Sequence, residues 1–240
     1  MKQVFITDYF KNAEIEKKIF KNFANVNVIN CSSEADLPKI INKADGLLVW
    51  HTNISNRTIE KLKFCKAIVR YGVGYDNIDI NSARNHGIDC ANTPDYGTEE
   101  VTETASAMIL SLTRKINYFN ERCKNYKIGW QDNVLGENKK FPIKRLSEHK
   151  LGIIGLGRIG SLLALRMKTF NMNVGFYDPY VKTGKEKILG ITKFNSIKEL
   201  TSSCDIISIN CTLTKETNCL IDKNFIKSLN KGSILINTAR

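Results

Sequence analysis

Leu151-Gly152-Ile153-Ile154-Gly155-Leu156-Gly157-Arg158-Ile159-Gly160, followed at Val174-Gly175-Phe176-Tyr177 by Asp178, is the stretch that decides the fold. One apolar run opens it and another closes it. Between them Gly155–Gly160 matches G-x-G-x-x-G, and helical spacing runs from Arg158 to Phe170. The glycine pattern alone is weak, but a strand before it and a helix after it supply the confirming context. Gly155 permits the tight turn, Gly157 lets backbone approach a pyrophosphate, and Gly160 lets the helix lie on the strand. Amide groups and the dipole at the helix N-terminus then hold the phosphates. Asp178 ends the second strand, where a carboxylate accepts from adenosine ribose hydroxyls and repels a 2′-phosphate, so the segment reads as a site for NAD rather than NADP. The plainer alternative, a glycine turn in a non-binding α/β protein, is disfavoured by strand, loop, helix and acid together, and this short context by itself does not separate NAD from a flavin.

Outward from this unit the same alternation continues. Ile206–Ile209 and Ser233–Ile236 read as further strands, with helices at Ser196–Thr201 and Lys223–Leu229. Upstream, Val4–Thr7, Val26–Ile29, Gly46–Val49 and Ala67–Arg70 read as buried strands, separated by helical patterns at Ile15–Phe23, Glu34–Asn42 and Thr58–Phe64. Strand–helix alternation implies parallel sheets with right-handed crossovers. Thr93-Pro94-Asp95-Tyr96-Gly97 is a turn-rich break, placed here as a hinge between domains 1–97 and 98–240. After it, Thr98 is expected to cap a helix whose first turn carries Glu99 and Glu100. From Asn120 to Leu146 the pattern is irregular and polar, an excursion packed on something else. The second series shows four strands, short of a six-stranded nucleotide sheet, so that domain is expected to be C-terminally incomplete.

Bulk properties bound the rest. A formal net charge of +12 over 240 residues could mark a nucleic-acid or membrane-surface binder. The lysines are spread along the chain, however, and no basic arm interleaves with aromatics, so neither nucleic acid nor membrane is expected as a partner. No apolar run is long enough to cross a bilayer, and Met1–Asp8 is no signal peptide, so a cytoplasmic protein is expected. The 7 cysteines are odd in number and contain no Cys-x-x-Cys pair, which argues against a disulfide framework or a zinc site; no metal is expected.

Several motifs converge on one family. Arg70-Tyr71-Gly72-Val73-Gly74-Tyr75-Asp76-Asn77-Ile78-Asp79 resembles the R-x-G-x-G-x-D-N-[IV]-D signature of D-specific 2-hydroxyacid dehydrogenases. Gly155–Gly160 with Tyr177-Asp178-Pro179-Tyr180 resembles their cofactor loop and acid. Cys204–Asn210, Leu213-Thr214 and Glu216-Thr217 resemble their s-D-[IV]-[IV]-s-x-H-x-P-L-T-x-E-T segment, and Ile236-Asn237-Thr238-Ala239-Arg240 the start of their N-x-[AS]-R-G motif. Pro94–Val101 and Trp50-His51-Thr52 look most like the branch of C-terminal-binding proteins. Asn210 and Thr212 depart from the family's H-x-P, whose histidine is not the proton donor.

The resemblance implies a flavodoxin-like substrate domain and a Rossmann-type NAD-binding domain, with a 2-hydroxy or 2-keto acid bound in the cleft between them. It implies a homodimer formed through the excursion 120–146. Arg240 would clamp the substrate carboxylate and carbonyl, a task that suits a planar guanidinium. Backbone N–H groups at Gly72, Val73 and Gly74 would bind the carboxylate, and Val73 would also approach the nicotinamide. Arg158, Ile159, Cys211, Thr217, Thr238, Ala239 and Arg240 would lie beside the cofactor, with Gly155, Gly157, Gly160 and Asp178. Arg70 ends a strand, where it either lines the pocket or makes a surface ion pair. His51 either reaches the cleft rim or is a plain loop histidine, and Cys211 is either a reactive thiol or a buried apolar one. The family's proton-donating histidine and its glutamate lie beyond the residue matching Arg240, where this sequence ends. The alternatives to an active dehydrogenase are therefore a non-catalytic NAD(H)-binding regulatory protein and an inactive truncated product.

Overall fold

The computed structural model describes residues 1–8, 12–124 and 143–239. The chain divides into two compact units, Met1–Tyr96 and Gly97–Arg240.

In the first unit, strands β1 (Lys2–Ile6), β2 (Ala24–Val28), β3 (Gly46–Val49), β4 (Ala67–Arg70) and β5 (Asp89–Asn92) form one sheet in the order β2-β1-β3-β4-β5. Every pairing in it is parallel, and the order is that of a flavodoxin-like sheet. Consecutive residues of a central strand are buried on opposite faces. Phe5, Leu47, Val49 and Ile68 share one core, whereas Val4, Ile6, Val26 and Leu48 share another beside the partly buried Phe20 of helix α1 (Glu14–Phe20). That two-sided burial explains why the strands read as continuous apolar runs.

The expected helix at Glu34–Asn42 is instead two 3-10 segments, Glu34–Asp36 and Lys39–Lys43. Pro38 lies between them and has no N–H with which to continue a helix. Strand β5 and helix α3 (Ile80–Asn85) were not anticipated. Asp89-Cys90-Ala91-Asn92 lies at the sheet's edge and carries little apolar signal. The helix expected at Thr58–Phe64 is shorter and earlier, α2 (Asn56–Ile59).

In the second unit, β6 (Lys150–Ile154), β7 (Asn173–Tyr177), β8 (Thr192–Lys193), β9 (Ile206–Ile209) and β10 (Ile234–Asn237) form a parallel sheet ordered β10-β9-β6-β7-β8. The described sheet thus has five strands rather than four, because the two-residue β8 is too short to show a pattern. The connections place the switch point between β6 and β9, where an open α/β sheet forms its crevice. Helix α4 (Thr98–Thr113) contributes Ala105 and Ile109 to the core, against Leu163, Ala164 and Met167 of α6 (Arg158–Thr169). Thr98 does not cap α4: Gly97 is the N-cap, and Thr98 is already helical. Asn120–Lys124 belongs to α5 (Ile116–Lys124) rather than to an irregular excursion, and residues 125–142 of the expected dimerisation segment lie outside the described residues. Helices α7 (Lys185–Leu189), α8 (Ile197–Ser203) and α9 (Lys223–Ser228) complete the unit. No helix of the described residues is long and apolar enough to cross a membrane.

Candidate functional site

The carboxyl ends of both sheets carry the residues singled out in the sequence. In the second unit β6 runs into Gly155, whose φ of 90° favours glycine. A Cβ there would also stand 2.7 Å from the backbone N and Cα of Cys211. At Gly160 a Cβ would meet the carbonyl oxygen of Gly155 at 2.1 Å, so the helix can lie this close only without a side chain. Gly157 differs: a Cβ added to it meets nothing within 4 Å. Two of the three glycines are thus required by the protein's own packing. The third faces open space at the N-terminus of α6, where it supplies no side-chain cap to the first-turn amides.

Asp178 anchors this loop. Its Oδ2 accepts from the Leu156 N–H at 2.8 Å and its Oδ1 from the Tyr180 N–H at 2.9 Å. The Leu156 carbonyl accepts from Lys185 Nζ at 2.9 Å, so an acid and a base grip the same loop residue from either end. Lys185 was missed in the sequence because nothing local marks it; the α7 turn brings it back. Ile159 is half-buried and Arg158 exposed at the start of α6. Beyond β9, Cys211 is half-buried, and burial foremost, with the Asp178 charge adding to it, pushes its thiol pKa up. That environment favours the inert reading over a reactive thiol. The Thr217 hydroxyl donates to the Thr212 carbonyl at 2.6 Å and accepts from the Thr214 N–H at 2.7 Å, which shapes the 212–217 loop.

Polar atoms beyond the glycine loop also suit a dinucleotide. Asn210 Oδ1 and Thr238 Oγ1, following the adjacent strands β9 and β10, are buried without a hydrogen-bond partner. Orphaned polar atoms beside an uncapped helix N-terminus fit a polar, anionic ligand lying across the strand ends. Ala239 is half-buried with its N–H bonded to Asn237 Oδ1 at 2.9 Å, and Arg240 lies outside the described residues.

In the first unit the turn after β4 is built on Arg70. This side chain is buried, at 3% exposure, which excludes the surface ion pair. Its Nη1 donates to the Tyr71 carbonyl at 3.1 Å and its Nε has no partner. The guanidinium lies directly under the turn: a Cβ on Gly72 would fall 1.2 Å from Nη1. Asn92 Nδ2 holds the Val73 carbonyl at 2.7 Å, and Thr93 N–H holds that of Gly72 at 3.1 Å. The Gly72 N–H, expected to bind the carboxylate, instead donates to the Arg70 carbonyl at 2.9 Å, which closes the turn, whereas the amides of Val73 and Gly74 have no acceptor among the described residues. A buried cation with an unpartnered Nε beneath unpartnered amides is an anion-binding arrangement.

Asp8, which sequence reasoning missed, organises the loop after β3. It follows β1, is buried, and accepts from the N–H groups of Trp50, His51 and Thr52 at 2.7, 2.5 and 2.8 Å, and from Thr7 Oγ1 at 2.8 Å. Burial works to raise its pKa, but these four donors outweigh it and the carboxyl sits below its usual value. Asn77 Nδ2 pins the same loop through the Thr52 carbonyl at 2.9 Å, and Asp79 caps α3 through the Ser82 N–H at 3.0 Å. The polar tail of the Arg70–Asp79 motif is therefore scaffolding. His51 is exposed, its ring stacked on Trp50 at 4.5 Å between centroids. An acid right after an apolar N-terminal strand was the available signal for Asp8.

A family model described as D-isomer specific 2-hydroxyacid dehydrogenase, NAD binding domain, matches residues 106–240. The chain is 29% identical over 236 residues to C-terminal-binding protein 1 of Caenorhabditis elegans, covering 95% of this chain and 32% of that one. It is 34% identical over 241 residues to D-3-phosphoglycerate dehydrogenase of Bacillus subtilis (strain 168), covering 100% and 44%. The chain thus spans less than half the length of these curated relatives. The solved structure of D-lactate dehydrogenase from Aquifex aeolicus, complexed with NAD and lactic acid, superposes with a TM-score of 0.86 at 28% identity, over 99% of this chain and 69% of that one.

Proposed function

Because the chain belongs to the D-isomer specific 2-hydroxyacid dehydrogenase family through its NAD-binding domain, we propose that it passes a hydride between NAD(H) and a 2-hydroxy or 2-keto acid. The observation that carries this reading is the glycine loop tied to Asp178, with open space above Gly157. The first-turn amides of α6 hold the pyrophosphate and Asp178 accepts from the ribose hydroxyls. Bound there, the nicotinamide supplies the hydride donor or acceptor. Asn210 and Thr238 offer their unpartnered oxygens to polar groups of that half.

The substrate carboxylate is taken by the amides of Val73 and Gly74 over the Arg70 guanidinium. A carboxylate there compensates a charge that the fold leaves buried and incompletely bonded. Arg240 clamps the carboxylate and carbonyl, its planar fork stabilising negative charge that grows on the keto oxygen during reduction. The protein works in the cytoplasm as a homodimer. Met108 and Leu112, one turn apart on α4, and Ile116 and Tyr118 on α5 are exposed apolar groups suited to burial against a second copy.

The test is NADH oxidation at 340 nm with a panel of 2-keto acids, including glyoxylate and hydroxypyruvate, by the protein that the complete reading frame encodes. Turnover that Arg70→Met impairs supports the reading. NADH binding without turnover of any 2-keto acid overturns the dehydrogenase in favour of an NAD(H)-binding regulatory protein.

A further inference from the structure

Tyr180 is 77% exposed, yet it is tied down at both ends. Its N–H donates to Asp178 Oδ1 at 2.9 Å and its phenol donates to the Glu216 carboxylate. The ring therefore bridges two loops, the one leaving β7 and the one after β9. The far loop is itself fixed: besides the Thr217 bonds, the Asn218 N–H donates to the Thr214 carbonyl at 2.9 Å. Glu216 is thus presented from a rigid turn. Its carboxylate, by hydrogen bond and then by charge, pushes the Tyr180 phenol pKa up, and the Asp178 charge adds to it. One ring feels both acids.

We propose that the Tyr180–Glu216 bridge is the outer rim of the adenosine site and that Glu216 is a second carboxylate, beside Asp178, discriminating against a 2′-phosphate. This rests on the second unit being a dinucleotide site. Asp178 is not the only charge carried by these loops, because basic side chains also lie along them. Lys185 donates to the Leu156 carbonyl, and Arg158, Lys182 and Lys215 are exposed along these segments. A phosphate of about two negative charges approaching the ribose position would meet these cations. A second carboxylate held in place by a tyrosine offsets them, whereas a ribose hydroxyl carries no charge and is insensitive to it.

The experiment uses ADP-ribose and 2′-phospho-ADP-ribose, which lack the nicotinamide and need no turnover, titrated calorimetrically into the protein that the complete reading frame encodes. Glu216→Gln keeps an acceptor for Tyr180 and removes the charge. It should raise the relative affinity for the 2′-phosphorylated probe about threefold at low salt, with Glu216→Lys raising it further. Both gains should fade at about 0.5 M salt, where screening reaches a few ångströms; a purely structural role would not give that salt dependence. Tyr180→Phe opens the bridge and leaves both charges, so the loosened rim should weaken both probes together about threefold. The proposal is overturned if neither Glu216 variant moves the ratio, or if Tyr180→Phe leaves both affinities unchanged. Asp178→Ala separates the two levels. If it shifts the ratio and the Glu216 variants do not, only the role of Glu216 falls. If the wild-type chain binds neither probe, the dinucleotide reading falls, and this proposal with it.

Discussion

Gly157→Ala and Gly160→Ala make the same chemical change three residues apart, and the structure assigns them opposite consequences. At Gly160 the new methyl would sit 2.1 Å from a backbone carbonyl oxygen. Ordinary contact needs more than 3 Å, so α6 must retreat from β6 by about 1 Å, breaking the packing of Leu163, Ala164 and Met167. Overpacking of this kind costs about 3 kcal/mol. For a protein of this size that lowers the melting temperature by about 6–12 °C. At Gly157 nothing lies within 4 Å of the new methyl, and the backbone angles, φ −73° and ψ −155°, are extended. Stability should hold or rise by about 0.5 kcal/mol through the unfolded chain's lost freedom. The space the methyl fills is the space a pyrophosphate needs. Displacing it from one or two charge-assisted amide bonds costs about 3 kcal/mol, or about 150-fold in NADH affinity. Thermal melts and NADH fluorescence titrations of the two variants decide the matter. The reasoning is refuted if Gly157→Ala binds NADH within threefold of wild type, or if it melts more than a few degrees lower.

Other perturbations read out the remaining parts of the site. Asp8→Asn should cost about 2 kcal/mol at neutral pH, because one neutral oxygen replaces a carboxylate that serves four donors. Since folding lowers the Asp8 pKa below 3.8, its stabilisation is present above about pH 4 and fades below it. The gap between wild type and variant in urea unfolding should therefore narrow at about pH 3, and a constant gap would exclude the linkage. Arg70→Met should raise the 2-keto acid KM about thirtyfold, the value of one charge-assisted bond pair, while changing stability by less than about 1 kcal/mol; a melting loss with KM intact would make Arg70 purely structural. Met108→Glu with Leu112→Glu should shift sedimentation from dimer to monomer, and an unchanged sedimentation coefficient would place any dimer contact elsewhere.

The nucleotide half was legible because its signals are local. G-x-G-x-x-G between an apolar strand and a helix, with an acid at the next strand's end, sits in one stretch from Leu151 to Asp178, and Gly155 and Gly160 each answer a nearby steric demand. Parallel alternation was legible too, because strands buried on both faces read as unbroken apolar runs. Short or edge elements were not. Thr192-Lys193 and Asp89-Cys90-Ala91-Asn92 are strands by virtue of their neighbours' hydrogen bonds, not of their own pattern. Pro38 shows the converse: a helical spacing was present, but one missing N–H broke it into two 3-10 turns.

What only the tertiary structure decided is which polar groups meet. Asp8 and the Trp50–Thr52 loop are more than forty residues apart, and Tyr180 and Glu216 are separated by 36 positions. Hydrogen bonds between such groups depend on where parallel strands end side by side, and no spacing rule along the chain encodes that. The sequence determined that there is a dinucleotide loop. The fold determined that Gly157 is the glycine left for the ligand, that Arg70 is a buried cation rather than a surface one, and that a tyrosine joins the acid of the loop to a second acid beyond it.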